Sequence, residues 1–294
     1  MSQSTDISLQ ALSHDHPEWR PWLEVVEEVL DEASDPKWEA FIPANLAARE
    51  NIPQLAGAKI FLDLDFTRSW VKRLIVTASR SGTPNMMTLR RAQTAGIDIP
   101  SLFQAALCQQ GDQLREIAAS LDMNADAFQA VAGLVVIPFL QACGRRWAAA
   151  GAASWVKSYC PICGAWPAFA EVRGIERARH LRCGRCGSEW PVHWLQCPYC
   201  GMIEHQQLTS LVPENAGSTR TIEACKQCLG YLKSFTKLQG TPAVRVMIDD
   251  LASVDLDVAA MEKGYRRAEG LAYPLDITVA SQPVSKRNFF SWSH

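Results

Sequence analysis

Eight of the ten cysteines in this 294-residue chain fall into four Cys-x-x-Cys pairs: Cys160/Cys163, Cys183/Cys186, Cys197/Cys200 and Cys225/Cys228. Two intervening residues let a tight turn aim both sulfurs at one ion, so each pair is half of a tetrahedral four-thiolate site. Glycine follows the second cysteine in three pairs, as Gly164, Gly187 and Gly201. Glycine tolerates the left-handed backbone such a turn needs. The fourth pair has Leu229 there and Gly230 next, so a looser or differently shaped turn is expected. Sequential pairing joins the first pair to the second across 164–182, and the third to the fourth across 201–224. The stretch 187–196 then connects the two units. An interleaved cross-brace is the alternative, and it denies each unit its own hairpins.

Four thiolates suit Zn(2+) and also Fe(3+)/Fe(2+), and the spacing does not choose between them. Both shells are complete, so neither has the open position that a hydrolytic zinc site requires. His180 and His193 are therefore expected beside the sites and not on the ions. Trp166, Trp190, Trp194 and Tyr199 are expected to pack around them. Cys108 and Cys143 have no partner at ligand spacing and read as small core residues.

A chain of this length can bury a core and does not need metals merely because it is small. Hydrophobic residues make up 48% and charged residues 20%, which is ordinary for a globular protein. A formal net charge of −2 argues against nucleic-acid binding by the chain as a whole. Charge is uneven: residues 1–60 carry eleven acids and four bases, and 140–190 carry eight bases and three acids. The excess at Arg173, Arg177, Arg179, Arg182 and Arg185 reads as compensation for thiolate charge. The opening segment lacks a basic start and an apolar run, so no signal peptide is expected. The longest apolar stretch, Val131–Leu140, is too short to cross a membrane. Reduced cysteines in a cytoplasmic protein follow.

The chain as far as Ala150 reads as helical. Trp19, Trp22, Leu23, Val26 and Leu30 fall at helical spacing opposite acids. Ile60–Ser79 reads as a second helix, 81–100 as a turn region and Ser101–Leu121 as a third helix. A fourth, capped by Asn124 or Asp126, runs toward Ala150 and is kinked or restarted at Pro138. Gly151–Ser154 marks the expected boundary. Beyond it, His180–Trp194 and Thr219–Leu238 each read as two strands flanking a cysteine turn. Val244–Arg267 reads as a helix with Val246, Leu251, Val254, Val258, Met261 and Tyr265 on one face. The tail from Gln282 to His294 follows. Asp249, Asp250, Asp255 and Asp257 read as helix N-terminal and solvated carboxylates, with no Walker loop, HExxH or GxSxG motif elsewhere.

The segments YCPICGAWP, LRCGRCGSEW, LQCPYCG, EACKQCLGYLK and DDLASVDLDVAAMEKGYRR resemble, in that order, the formate dehydrogenase accessory proteins of FdhE type. The resemblance covers roughly residues 155–270. It implies an α+β chain: a helical domain (1–153), two rubredoxin-like (zinc-ribbon-like) modules (154–190 and 191–240), and a C-terminal helix and tail (241–294). It makes the eight paired cysteines the ligands of two metal ions, and leaves Cys108 and Cys143 outside the ligand set. It implies a cytoplasmic, non-enzymatic factor that binds the catalytic subunit of formate dehydrogenase and assists its assembly. The alternative is a rubredoxin-like protein passing electrons through iron. Homodimer formation stays open.

Overall fold

The computed structural model describes residues 8–43, 50–80, 83–93, 96–147, 155–193, 195–212 and 219–282. The expected boundary at 151–154, Trp194 and the tail beyond Gln282 lie outside them.

The helical half contains α1 (Leu9–Asp15), α2 (Arg20–Ala33), α3 (Leu64–Ser79), α4 (Pro84–Met87), α5 (Ile99–Leu107), α6 (Gly111–Ser120), α7 (Ala125–Val135) and α8 (Ile137–Trp147). Asn124 caps α7, its Oδ1 accepting from the Ala127 N–H at 2.9 Å. Pro138 marks the restart into α8, as its missing N–H dictates. The run 125–147 is long and apolar enough to cross a membrane by length and composition, but 78% of its most apolar stretch is buried within the molecule. Both of its helices, α7 and α8, contribute to the main core.

Three helical expectations in this half differ from the structure. Ile60–Ser79 begins as strand β1 (Lys59–Leu62), which pairs in parallel with β8 (Thr278–Ser281). Asp63 then caps α3, accepting from the N–H groups of Asp65 (3.0 Å) and Phe66 (3.1 Å). Ser101–Leu121 breaks in two where Gln109 takes a φ of 51°. In α2 the expected Leu23 and Val26 are buried and Trp19, Trp22 and Leu30 pack partly buried against core clusters, but Glu32, expected among the acids of the opposite face, is buried as well.

The C-terminal half holds two antiparallel meanders, β2 (Phe169–Arg173), β3 (Ala178–Arg182), β4 (Glu189–Pro191), and β5 (Leu208–Leu211), β6 (Arg220–Cys225), β7 (Tyr231–Lys237). Both units follow one order: a cysteine turn, two strands, a second cysteine turn, a third strand. Parallel pairing of β2 with β7 fuses them into one six-stranded sheet, ordered β4-β3-β2-β7-β6-β5. Because side chains alternate across a strand, the sheet has two distinct faces. Phe169, Ile222, Ala224, Tyr231 and Phe235 pack under α9 (Val246–Leu251) and α10 (Val254–Glu262), against Val246, Leu256 and Ala260. On the opposite face, Ala170, Leu181, Trp190 and Leu232 join the main core with α2, α3, α5, α7 and α8.

The single helix expected over Val244–Arg267 is thus two helices broken at Ala252–Ser253, and Val258 and Met261 on its expected apolar face are exposed. Its acids do start helices: Asp249 lies in the first turn of α9, Asp255 and Asp257 in that of α10. They are paired, however, and not simply solvated. Fully buried Lys233 donates to Asp257 Oδ2 (2.8 Å) and to the Asp250 carbonyl (2.7 Å), and lies 2.7 Å from Asp250 Oδ1. Arg267 pairs with both acids, Arg220 reaches Asp255, and Lys237 reaches Asp249. Burial alone would raise the Asp250 carboxyl, but Arg267 and Lys233 hold it below the ordinary carboxylate range. DDLASVDLD is therefore the clamp between the last two helices and the sheet.

The arginines also pair elsewhere than expected. Arg173 and Arg182 pair with Glu171 and Glu189, and Arg179 pairs with Glu223. Arg185 donates to the carbonyls of Ala106 (2.9 Å) and Leu107 (3.1 Å), at the C-terminus of α5. Their charge goes to carboxylates and a helix end, where it complements the dipole. Burial works against the Glu171 carboxylate, yet the Thr241 N–H, Arg182 and Arg173 outweigh it and keep its pKa low.

Candidate metal centres

Each cysteine turn repeats one hydrogen-bond frame. The first cysteine's N–H donates to the carbonyl five positions on: Cys160 to Ala165 (2.9 Å), Cys183 to Ser188 (2.9 Å), Cys197 to Met202 (2.8 Å) and Cys225 to Gly230 (2.9 Å). In the first three turns the following glycine donates back to that cysteine's carbonyl at 3.0 Å. Gly164, Gly187 and Gly201 take φ values of 66°, 73° and 75° there. Leu229 takes the same place in the fourth turn at φ 57°. That turn keeps the shape of its siblings with a side chain where glycine is relaxed, so it is the most strained of the four.

The turns meet in the sequential pairing. The four sulfurs of Cys160, Cys163, Cys183 and Cys186 lie within 4.8 Å of one another, as do those of Cys197, Cys200, Cys225 and Cys228. A tetrahedral ion at about 2.3 Å from each sulfur sets sulfur–sulfur edges of about 3.8 Å. Between paired turns the inner group shows 3.4, 3.5 and 3.9 Å, and the outer group shows 3.7 Å twice. All ten cysteines are free thiols, and a disulfide would require about 2.05 Å. The donor set and spacing thus fit two four-coordinate metal ions. Backbone N–H groups of Ile162, Cys163, Cys186 and Gly230 approach the sulfurs at 3.4–3.5 Å and would offset thiolate charge.

The two groups differ in surroundings. All four inner cysteines are fully buried in the main core. The carbonyls of Pro161 and Ile162 accept from the N–H groups of Gln54 (2.8 Å) and Leu55 (3.0 Å) in the helical half. On the other side α8 presses on the second turn, where Gln141 Nε2 donates to the Arg185 carbonyl at 3.3 Å. In the outer group Cys200 is exposed and Cys228 half-buried. Cys143 is buried and Cys108 half-buried, its thiol donating to the Leu275 carbonyl at 3.3 Å; neither joins a sulfur group. His180 and His193 also stand outside both groups. Trp190 is buried, and Trp166 meets Tyr199 edge to face with ring centroids 5.3 Å apart.

Sequence reasoning missed two residues at the inner group. The Ser188 hydroxyl lies 3.1 Å from Cys160 Sγ and 3.0 Å from Cys186 Sγ. Its only signal was its place directly after Gly187. Gly144 in α8 sits against the second turn: a Cβ there would lie 2.1 Å from the Cys186 carbonyl oxygen. Gly144→Ala sets a methyl against backbone, so the helix or the turn must move. Alanine gains about 1 kcal/mol in helix propensity over glycine, but overpacking of this kind costs about 1–3 kcal/mol or more. A lowered thermal midpoint is expected by circular dichroism. An unchanged or raised one would show that α8 does not bear on the turn.

Parts of this chain are similar to known proteins. Residues 192–273 match the family described as FdhE, C-terminal domain. An FdhE homologue of Aquifex aeolicus is 33% identical over 118 residues, covering 39% of this chain and 41% of that protein. Escherichia coli FdhE is 33% identical over 114 residues, 38% of this chain and 36% of that protein. The matched stretch is therefore about two fifths of the length of these relatives. The crystal structure of FdhE from Pseudomonas aeruginosa superposes with a TM-score of 0.57 at 22% identity, over 90% of this chain and 92% of that one, so the two share a fold.

Proposed function

The chain belongs to the FdhE family through its C-terminal domain, and from that premise we propose that it is a non-enzymatic accessory factor in formate dehydrogenase maturation. On this reading it acts in the cytoplasm. It docks on the catalytic subunit through a surface whose shape is held by two metal ions, with Cys160, Cys163, Cys183, Cys186, Cys197, Cys200, Cys225 and Cys228 as ligands. The observation that carries it is the convergence of the eight paired sulfurs into two four-sulfur groups, each of which could hold one ion; on this reading all eight are spent on coordination. A coordinated thiolate is not free to act as nucleophile or sulfur carrier. When bound, the metal would supply rigid cross-links between the paired turns.

The exposure of Cys200 and Cys228 also favours a second reading, rubredoxin-like electron passage through iron, because an edge near solvent is where an electron would enter. Metal analysis and capture decide between them. Anaerobically purified, tagged chain should carry two metal ions and recover the dehydrogenase catalytic subunit from cells making the enzyme. Zinc in both sites supports the scaffold; iron with a reversible couple supports the redox reading. Failure to recover the subunit would count against docking.

A further inference from the structure

We propose that the two sites hold metal on different terms: the inner site keeps its ion for as long as the chain is folded, while the outer site exchanges its ion with solution in the folded protein, and its occupancy sets the shape of the surrounding surface. This rests on the reading of the eight cysteines as metal ligands.

Replacing an ion in a four-thiolate shell requires an incoming ligand or metal to reach a sulfur. At the inner site every sulfur is buried, and the flanking turns are gripped by Gln54, Leu55, Gln141 and α8. Reaching it demands that the main core open, which is global unfolding. At the outer site Cys200 already faces solvent and Cys228 is half-exposed. Among the described hydrogen bonds, none ties its turns to the helical half. The turn carrying Cys228 is also the one with Leu229 in the left-handed region, which lowers the resistance to opening. A local opening is enough.

What an outer ion would hold in place is defined by the contacts of Tyr199 and Arg266. Tyr199, inside the Cys197 turn, donates its hydroxyl to the Tyr231 carbonyl at 2.9 Å and lies against Gly230, leaving no room for a side chain there. It also meets Trp166, which follows the inner Cys163 turn. The segment from Arg266 to Tyr273 then runs as a strap between the two sites. At its outer end the Arg266 N–H donates to the Leu229 carbonyl (2.8 Å) and the Arg266 carbonyl accepts from the Tyr231 N–H (3.2 Å). At its inner end the Tyr273 N–H donates to the Gly164 carbonyl at 3.0 Å. A trough of about 360 Å³ lies beside the outer site, with Leu195, Cys197, Tyr199 and Cys225 in its wall and Thr221 and Ser234 on its sheet floor. Loss of the outer ion frees one end of the strap and one wall of this trough, while the inner end stays fixed.

Cadmium ion serves as the probe, since it takes the same four-thiolate shell and is resolved from zinc or iron by mass. Added in modest excess to the two-metal chain, it should replace one ion per chain with the helical circular dichroism unchanged. The second ion should follow roughly 100-fold or more slowly, at the pace of global opening. Cys200→Ser should carry one ion and keep its helical signal. In that variant, hydrogen exchange should quicken at the amides of Tyr231 and Arg266 and stay slow at those of Leu55 and Tyr273. Equal replacement rates at both sites, faster replacement inside, or undisturbed exchange at Tyr231 and Arg266 would overturn the proposal. A wild-type chain that binds no metal would instead sink the reading of the cysteines on which it rests.

Discussion

Cys183→Ser is expected to abolish the folded state of the helical half, although the described helices α1 to α8 all lie outside the cysteine-rich region. The inner sulfurs sit inside the main hydrophobic core, among residues that run from Val25 to Val279. A structural zinc in small peptides contributes about 10–16 kcal/mol at neutral pH, and a whole domain is stable by only about 5–15 kcal/mol. A serine hydroxyl is a poor replacement for a soft thiolate ligand. It would also leave three cysteines buried beside a polar group with no ion to satisfy. The effect should therefore spread through the Gln54, Leu55 and α8 contacts into the helices. Near-ultraviolet circular dichroism should lose its fixed-packing signal, and the cooperative thermal transition should disappear. A variant that melts cooperatively close to the wild-type midpoint would mean that the core holds without the inner ion.

The sites were more legible in the sequence than the fold around them. Cysteine spacing and the glycines at 164, 187 and 201 are local signals, and they led to the sequential pairing that the structure shows. The Leu229 turn was expected to differ in shape, but its first cysteine makes the same hydrogen bond as in the other three. Leu229 adopts the positive φ of the three glycines against its own backbone preference. Pro138 announced the break between α7 and α8 because proline acts through its own backbone. Signals that depend on a distant partner were not readable. Lys59–Leu62 is a strand because Thr278–Ser281, from the other half of the chain, arrives beside it. The fusion of two units through β2 and β7 likewise pairs Phe169 with Lys233, positions separated by the whole of the intervening strands and turns. Gly144 looks like any helical glycine until the Cys186 carbonyl is placed against it. Arg173, Arg179, Arg182 and Arg185 sat next to the cysteines in sequence, yet the sheet geometry sent them to glutamates and a helix end.

Lys233→Met should destabilise the protein by about 3–5 kcal/mol, because it removes one partner from a buried ion network and leaves the other behind. Lys233 is fully buried on the sheet face under α9 and α10, with Asp250 and Asp257 at 2.7 and 2.8 Å. Methionine fills the volume, so packing is largely kept. The charge balance is lost: two carboxylates then share Arg267 alone, and α9 and α10 are held by a net negative cluster. Asp257→Asn in the same chain removes the excess charge. Its amide oxygen can still accept the Tyr231 hydroxyl that now donates to Asp257 Oδ1 at 2.7 Å. Replacing both members of a buried pair is often close to neutral, so the double variant should recover most of the loss. Urea midpoints of the wild type, the two single variants and the double variant give the coupling directly. If the double variant falls by the sum of the single losses, the lysine and the aspartate act independently. The direct Lys233–Asp257 pairing would then add nothing of its own to the joint between the sheet and its last two helices, leaving it to the Asp250 pairs and apolar contact.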